Sequence, residues 1–305
     1  MRYTNTMSSY TIIEQKDFAS HPLLSRLLEL HDVPKQLYIR GTLPEVTLDE
    51  YGRATPRILT VVGSRKNTTY GKQALDMLIA SLKNEEVIIL SGLALGVDGL
   101  AHKAALTNNI ITIAVPGSGL DEKVLYPSTH RHLAKDIIAY DGALISELEP
   151  STSAAPWTFP MRNRVMAALS DALLVVEAEQ KSGTLITARL ALELGRDIGA
   201  IPGEIFSPTA TGTNTLIHEG AYAITSTSDL FSLLHISEPA QNQNHEPIEF
   251  NGNEKIIMDI LREPIDKDSL LGKSKLSFTD FLTAFSSLEI NGYIQESFGE
   301  VRRML

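Results

Sequence analysis

The sequence predicts an α/β protein: an extended, Rossmann-like, doubly wound sheet followed by a small C-terminal winged-helix domain. Two observations carry this. From about residue 57 to 234, short runs of apolar and β-branched residues alternate with stretches of helical spacing, the signature of strands joined by crossover helices. After a polar interval, the last 55 or so residues change to helices with a terminal hairpin.

Ile58-Leu59-Thr60-Val61-Val62 is the first such run. It reads as a strand buried on both faces, as a parallel sheet requires. Val87–Leu90, Ile110–Val115, Ala143–Ser146, Ala172–Val176 and Ile198–Ile201 read the same way, and Tyr222–Thr225 as a seventh strand. Leu185–Leu194 has helical spacing, and Gly195 is placed to close that helix as a C-cap. Residues 1–56 read as an irregular lead-in packed on the sheet, with one short helical pattern at Leu23–Leu30 that ends before Pro34. Residues 235–250, polar and poor in apolar side chains, read as a linker. Residues 251–305 form the terminal unit, with helices at Ile256–Leu261, Asp268–Leu271 and Phe278–Leu288 and a hairpin after Asn291-Gly292.

Composition bounds the function. The chain has 305 residues, 43% of them hydrophobic, as in ordinary globular proteins. It has no cysteine, which removes disulfides, thiolate catalysis and Cys-ligated metals and fits a cytoplasmic protein. No apolar run is long enough for a membrane span, and Met1-Arg2-Tyr3-Thr4-Asn5-Thr6 has no signal-peptide pattern. With a net charge of −10, a nucleic-acid site must be a local basic patch. The terminal unit holds more acids than bases, so protein contact or plain structure suits it better than DNA reading.

The chemistry concentrates in a few loops. Gly63-Ser64-Arg65-Lys66 follows the first strand and offers amides, a hydroxyl and two cations to a phosphate; the plain alternative is a turn with surface charges. It is neither a Gly-x-Gly-x-x-Gly dinucleotide loop nor a P-loop. Arg162-Asn163-Arg164 is expected at a helix start, where the dipole disfavours cations and an anionic partner would relieve the conflict. Lys181 precedes Ser182-Gly183-Thr184, which opens a helix and presents amides to an anion. Phe159 stands beside the arginines and either stacks a base or packs; Trp157 reads as packing. Asp98 and His102, four apart, share a helix face and read as a hydrogen-bonded structural pair rather than an acid–base pair or metal site. Glu177 reads as a loop cap rather than a catalytic base.

Taken together these stretches resemble the DNA-processing protein A (DprA/Smf) family. The resemblance rests on Val62-Gly63-Ser64-Arg65 with Tyr70-Gly71, Ser91-Gly92-Leu93-Ala94 with Gly96-Val97-Asp98 and Ala101-His102, and Gly117-Ser118-Gly119-Leu120-Asp121 with Tyr126-Pro127. It continues through Ser146-Glu147, Phe159-Pro160 with Arg162-Asn163-Arg164, Val175-Val176-Glu177-Ala178, Ser182–Ala188, Pro202-Gly203, and Gly212-Thr213-Asn214 with Leu216-Ile217 and Gly220-Ala221, all in family order. No counterpart is read of the small helical domain that many members carry at the N-terminus. The resemblance implies a binding protein with no catalytic residue, cofactor or metal. Such a protein holds single-stranded DNA, protects incoming strands in natural transformation and loads the recombinase RecA. It implies DNA contacts at Gly63, Ser64, Arg65, Lys66, Gly92, Phe159, Arg162, Asn163, Arg164, Lys181, Ser182, Gly183 and Thr184. It also implies a homodimer surface at Leu216, Ile217 and His218. Leu95 stands where the family usually has arginine. The rival class is a nucleotide-binding protein or a nucleoside-monophosphate phosphoribohydrolase of similar fold. That class usually shows Pro-Gly-Gly-x-Gly-Thr, and Ala178–Thr184 lacks the paired glycines.

Overall fold

The computed structural model describes residues 10–238, 250–297 and 299–303. The signal-peptide reading at Met1–Thr6 and residues 239–249 of the expected linker lie outside them. The chain divides into two units, Met1–Glu238 and Pro239–Leu305.

The first unit runs, in chain order, β1 (Thr11–Glu14), α1 (Pro22–Ser25), β2 (Gln36–Gly41), β3 (Thr47–Leu48), β4 (Ala54–Thr55), β5 (Arg57–Val62), α2 (Thr69–Ser81), β6 (Val87–Ser91) and α3 (Val97–Thr107). It continues with β7 (Thr112–Ala114), α4 (Arg131–Ala139), β8 (Ala143–Ser146), α5 (Thr158–Leu169), β9 (Ala172–Val175), α6 (Gly183–Glu193), β10 (Asp197–Ala200), α7 (Thr211–His218), β11 (Tyr222–Ala223) and α8 (Thr227–Leu233). Nine strands form one sheet in the order β1-β2-β8-β7-β6-β5-β9-β10-β11. The seven from β8 to β11 in that order are parallel. The sheet grows from β5 through β6 and β7 to β8, then the chain returns to the other side of β5 to lay down β9. The place where the winding reverses, between β5 and β9, is where open α/β sheets bind ligands at the carboxyl ends of their strands.

Alternation along β5 explains the two main layers. Ile58 and Val62 face a core shared with the lead-in, α5 and α6; Leu59 and Val61 face a core shared with α2, α3 and α8. Gly195 takes φ +69°, the left-handed conformation that ends α6 as expected.

The lead-in departs from the expectation of an irregular segment. β2 pairs antiparallel with β8, and β1 with β2, so the lead-in adds two strands to the sheet. Phe18, Leu23, Leu24 and Leu27 are fully or almost fully buried and join the core on the Ile58 face of the sheet. The helical pattern at Leu23–Leu30 is α1 followed by a 3₁₀ turn over Arg26–Glu29.

The second unit holds α9 (Gly252–Ile260), β12 (Ile265–Asp266), α10 (Lys267–Ser274), α11 (Phe278–Ile290), β13 (Ile294–Ser297) and β14 (Glu300–Arg303), with sheet order β12-β14-β13. Asn251, Asp266 and Ser277 cap its three helices with side-chain hydrogen bonds. Ile257, Leu270, Phe281, Phe285, Leu288 and Val301 form its core. No helix among the described residues is long and apolar enough to cross a membrane.

Candidate nucleic-acid interface

A cleft of about 340 Å³ opens at the carboxyl ends of β5 and β9. Three segments wall it: the loop after β5 with Gly63, Ser64, Arg65 and Lys66; the start of α6 with Ser182, Gly183 and Thr184; and the face of α5 bearing Phe159, Arg162 and Asn163. These ten residues, all expected in a binding site, are brought together from segments up to 121 positions apart, as the Thr184 Oγ1 bond to Gly63 O (3.2 Å) records.

The loop after β5 is held on both sides. Val97 N–H donates to Ser64 O at 3.1 Å. Gly96, at φ +74°, lets the chain pass close to Ser64 and Arg65; a Cβ there would overlap the Ser64 carbonyl. On the other side the Glu177 carboxylate accepts from Thr68 N–H (2.9 Å) and Thr68 Oγ1 (2.5 Å), at the N-terminus of α2. Glu177 is therefore a cap, for the loop after β5. Arg65 and Lys66 remain exposed at the tip.

The start of α6 is open. Ser182 is its N-cap, but its side chain does not cap the helix, and its buried Oγ has no hydrogen-bond partner among the described residues. No acidic residue lies in the first turn of α6, and around Gly183 the space is clear. The Gly183 and Thr184 amides, without a partner among the described residues, the positive end of the helix and the Ser182 hydroxyl thus face Arg65 and Lys66 across the cleft, an arrangement suited to an anion.

Phe159 is half-buried at the other end of the cleft. Its ring meets Tyr126 edge-on at 5.8 Å and lies 5.0 Å from the Arg65 guanidinium. Trp157, expected to pack, is 55% exposed. It lies at the N-cap of α5, ahead of the part that enters the core.

The two arginines take different roles from those expected. Arg162 and Arg164 are the fifth and seventh residues of α5, beyond the turn where the dipole acts strongly. Arg162 is buried: Nη1 donates to Gly92 O (2.5 Å) and Val115 O (2.6 Å), Nε donates to Asn163 Oδ1 (3.1 Å), and the guanidinium lies 4.0 Å from Asp98. Burial pushes the Asp98 carboxyl above its ordinary range, opposed by Arg162. Arg162 thus forms the floor of the cleft. Gly92 does not line the cleft; its carbonyl holds Arg162 from beneath, and a Cβ there would overlap the guanidinium. Arg164 does not line the cleft. It pairs with Glu147 and lies 3.7 Å from Asp32. Lys181 is exposed and also stands outside the lining residues. The lining residues outside the expected contact set are Val62, Ala94, Asp98, Met166, Glu179 and Thr187. Glu179 and Thr187 flank the Ser-Gly-Thr motif, and that proximity was the one available signal.

His102 is wholly buried, but it does not bond Asp98; its Nδ1 contacts Thr112 Oγ1 at 2.7 Å. Burial pushes its imidazole down to about 3. Among the described residues no cluster of His, Asp or Glu could hold a metal ion. Leu95 is exposed in the loop between β6 and α3. Leu216 is buried, Ile217 is half-buried against the same core, and His218 is exposed.

Residues 9–235 match the family model of the DNA recombination-mediator protein A. The chain belongs to that family. It is 37% identical to Protein Smf of Escherichia coli over 227 residues, 73% of this chain and 58% of that protein. It is 40% identical to the DNA processing protein DprA of Bacillus subtilis over 208 residues, 68% of this chain and 67% of that one. The chain thus spans little more than half of the first relative. Two solved structures are similar. DNA processing protein A of Streptococcus pneumoniae matches with a TM-score of 0.64 at 37% identity, covering 74% of each chain. That of Helicobacter pylori, reported for its unique single-stranded DNA binding mode, matches with a TM-score of 0.60 at 30% identity, covering 74% of this chain and 96% of that one.

Proposed function

We propose that this family member binds single-stranded DNA in the cleft between β5 and β9. In that role it protects incoming strands during natural transformation and passes them to the recombinase RecA, working as a cytoplasmic homodimer. One observation carries the binding step: an open helix start, with the unpaired Ser182 hydroxyl, faces two exposed cations beside an aromatic ring. Arg65, Lys66 and the amides of Gly183 and Thr184 take phosphates. Phe159 takes the face of a base, which any sequence offers when unpaired. Arg162 and Asn163 hold the floor in shape, and Arg164, paired with Glu147, supports the fold rather than the strand. The name of the family and the H. pylori relative support the reading. The acidic whole agrees with it, because attraction is confined to one cleft.

The competing reading is hydrolysis of a nucleoside monophosphate in the same cleft. It needs a carboxylate in the cleft: Glu177 is engaged by Thr68, which leaves the exposed Glu179 on the cleft wall to serve. A competition assay at fixed salt, single strand against duplex of the same sequence, tests the proposal: the single strand should win. Preference for duplex contradicts it, and release of free base from nucleoside monophosphates would establish the enzyme instead.

A further inference from the structure

The loop after β10 presents two large apolar side chains almost entirely to water. Phe206 is 90% exposed and Ile205 79%. Nothing in the cleft uses them, yet the loop that carries them is firmly built. The Asn214 side-chain amide holds both backbone groups of Gly203: Gly203 N–H donates to Oδ1 at 3.2 Å and Nδ2 donates to Gly203 O at 3.0 Å. Ser207 N–H closes a turn on Glu204 O at 3.0 Å. Tyr70 Oη, at the start of α2, donates to Pro202 O at 2.8 Å.

The same loop is fastened to the cleft wall. Ala178 N–H donates to Thr209 O at 2.7 Å, and Gly212 N–H donates to Ala178 O at 2.8 Å. Ala178 begins the segment that leads to Ser182. Tyr70 closes the other side, since it follows the loop that bears Arg65 and Lys66 and its own ring is partly exposed. β10 is two strands from β5. At the spacing of neighbouring strands that is roughly 10 Å along the sheet edge. A nucleic-acid strand covers it in about three nucleotides at the ~3.4 Å duplex rise.

We infer that Phe206, supported by Ile205, is a second base platform, which receives an unpaired nucleobase of the same strand as it leaves the cleft past Tyr70. The inference rests on the single-strand reading above and extends it. The occupant follows from size and position. Two side chains offer a few hundred Å² at most, short of the ~800 Å² per partner of a stable protein interface. One ring face, however, is what one base needs. The loop also sits on the same carboxyl edge as the cleft and is hydrogen-bonded to its wall.

The test compares Phe206→Ala with wild type on two oligothymidylates, one of about four nucleotides, filling the cleft alone, and one of about twelve, reaching the loop. The variant should bind the short oligonucleotide as wild type does and the long one about 5- to 150-fold more weakly, the loss of one stacked base. Phe206→Trp, made in a Trp157→Phe background so that its indole is the sole emitter, should bind the long one normally and show fluorescence quenched by it, not by the short one. Equal affinity of Phe206→Ala and wild type for the long oligonucleotide overturns the platform and leaves the cleft reading standing. A smaller particle in light scattering, with DNA affinity unchanged, overturns it in favour of a contact between copies. Failure of wild type to bind either oligonucleotide overturns both readings.

Discussion

Arg162 and Arg164 lie two positions apart on α5, so their side chains leave the helix about 200° apart. Arg162 goes under the cleft to two backbone carbonyls; Arg164 goes to Glu147 on the far side. Both look like phosphate ligands in the sequence, because arginine does the same chemistry with a carbonyl, a carboxylate or a phosphate. Burial pushes Glu147 above its ordinary range, against the pull of Arg164, so truncating Arg164 leaves a poorly solvated carboxyl behind. Arg164→Ala should therefore lower stability by up to about 3 kcal/mol. Single-strand affinity per folded molecule should stay the same. Urea melts and active-site-normalised binding read the two effects apart, and lost affinity in a fully folded variant would return Arg164 to the site. Phe159 faces the opposite expectation. Phe159→Ala should cost about 1–3 kcal/mol of single-strand binding, measured by fluorescence anisotropy. Lower stability with unchanged affinity would make Phe159 a packing residue only.

At the scale of elements, α5 connects the site to the rest of the fold. Its C-terminal carbonyls are held by two arginines from elsewhere in the chain: Arg26 donates to Leu169 O (3.0 Å) and Ser170 O (2.5 Å), and Arg196 to Ala168 O (3.0 Å). Arg26 also pairs with the buried Asp171 at 3.1 Å. Cations at a helix C-terminus complement its dipole. The lead-in thus fixes the helix whose other end carries Phe159. That link was not legible in the sequence, since Arg26 and Leu169 are 143 positions apart. The central strands were legible because each is a continuous apolar, β-branched run between turn residues. β1 and β2 were not, because Thr11–Glu14 and Gln36–Gly41 are mixed in polarity and pair antiparallel at the margin of the sheet. Ten of the thirteen expected contact residues do line the cleft, for they fall in loops at the carboxyl ends of legible strands or on the helix beside them. The partners that redirect Arg162 and Arg164 come from other segments and could not be seen.

The α3–β7 contact makes a prediction about pH. The His102 imidazole is held near 3 in the fold, while an unfolded histidine titrates near ~6.5. The folded state therefore binds fewer protons between those values. Stability is lost as pH falls through the unfolded value and keeps falling toward the folded one. From pH ~7.5 to ~5.5 this one residue should remove about 1.4 kcal/mol. Unfolding free energies from urea melts at the two pH values should differ less by that amount in His102→Gln. An unchanged difference would mean that His102 takes up its proton in the fold.

The sheet of the first unit ends at β11, where Tyr222 and Ala223 are exposed and, among the described residues, paired on one side only, to β10. An unpaired edge invites another chain, and Ile217 is half-exposed beside it at the end of α7. A homodimer using this edge should fall to monomer in Ile217→Asp, as read by light scattering. Leu216→Asp would test folding instead, since Leu216 is in the core. A well-folded Ile217→Asp of unchanged mass would place the contact elsewhere.

With a net charge of −10, the protein as a whole repels DNA, so a DNA site must be a local basic patch, which the proposal places in the cleft. Each phosphate neutralised on a single strand contributes about −0.7 to the slope of log affinity against log salt. The most direct measurement is that slope for wild type and for the Arg65→Ala/Lys66→Ala double variant on one oligothymidylate. Two phosphate contacts at the tip of the loop after β5 predict that the variant's slope is shallower by about 1.4, with weaker binding at every salt concentration. The same slope in both proteins would contradict the assignment of the cleft as the single-strand site.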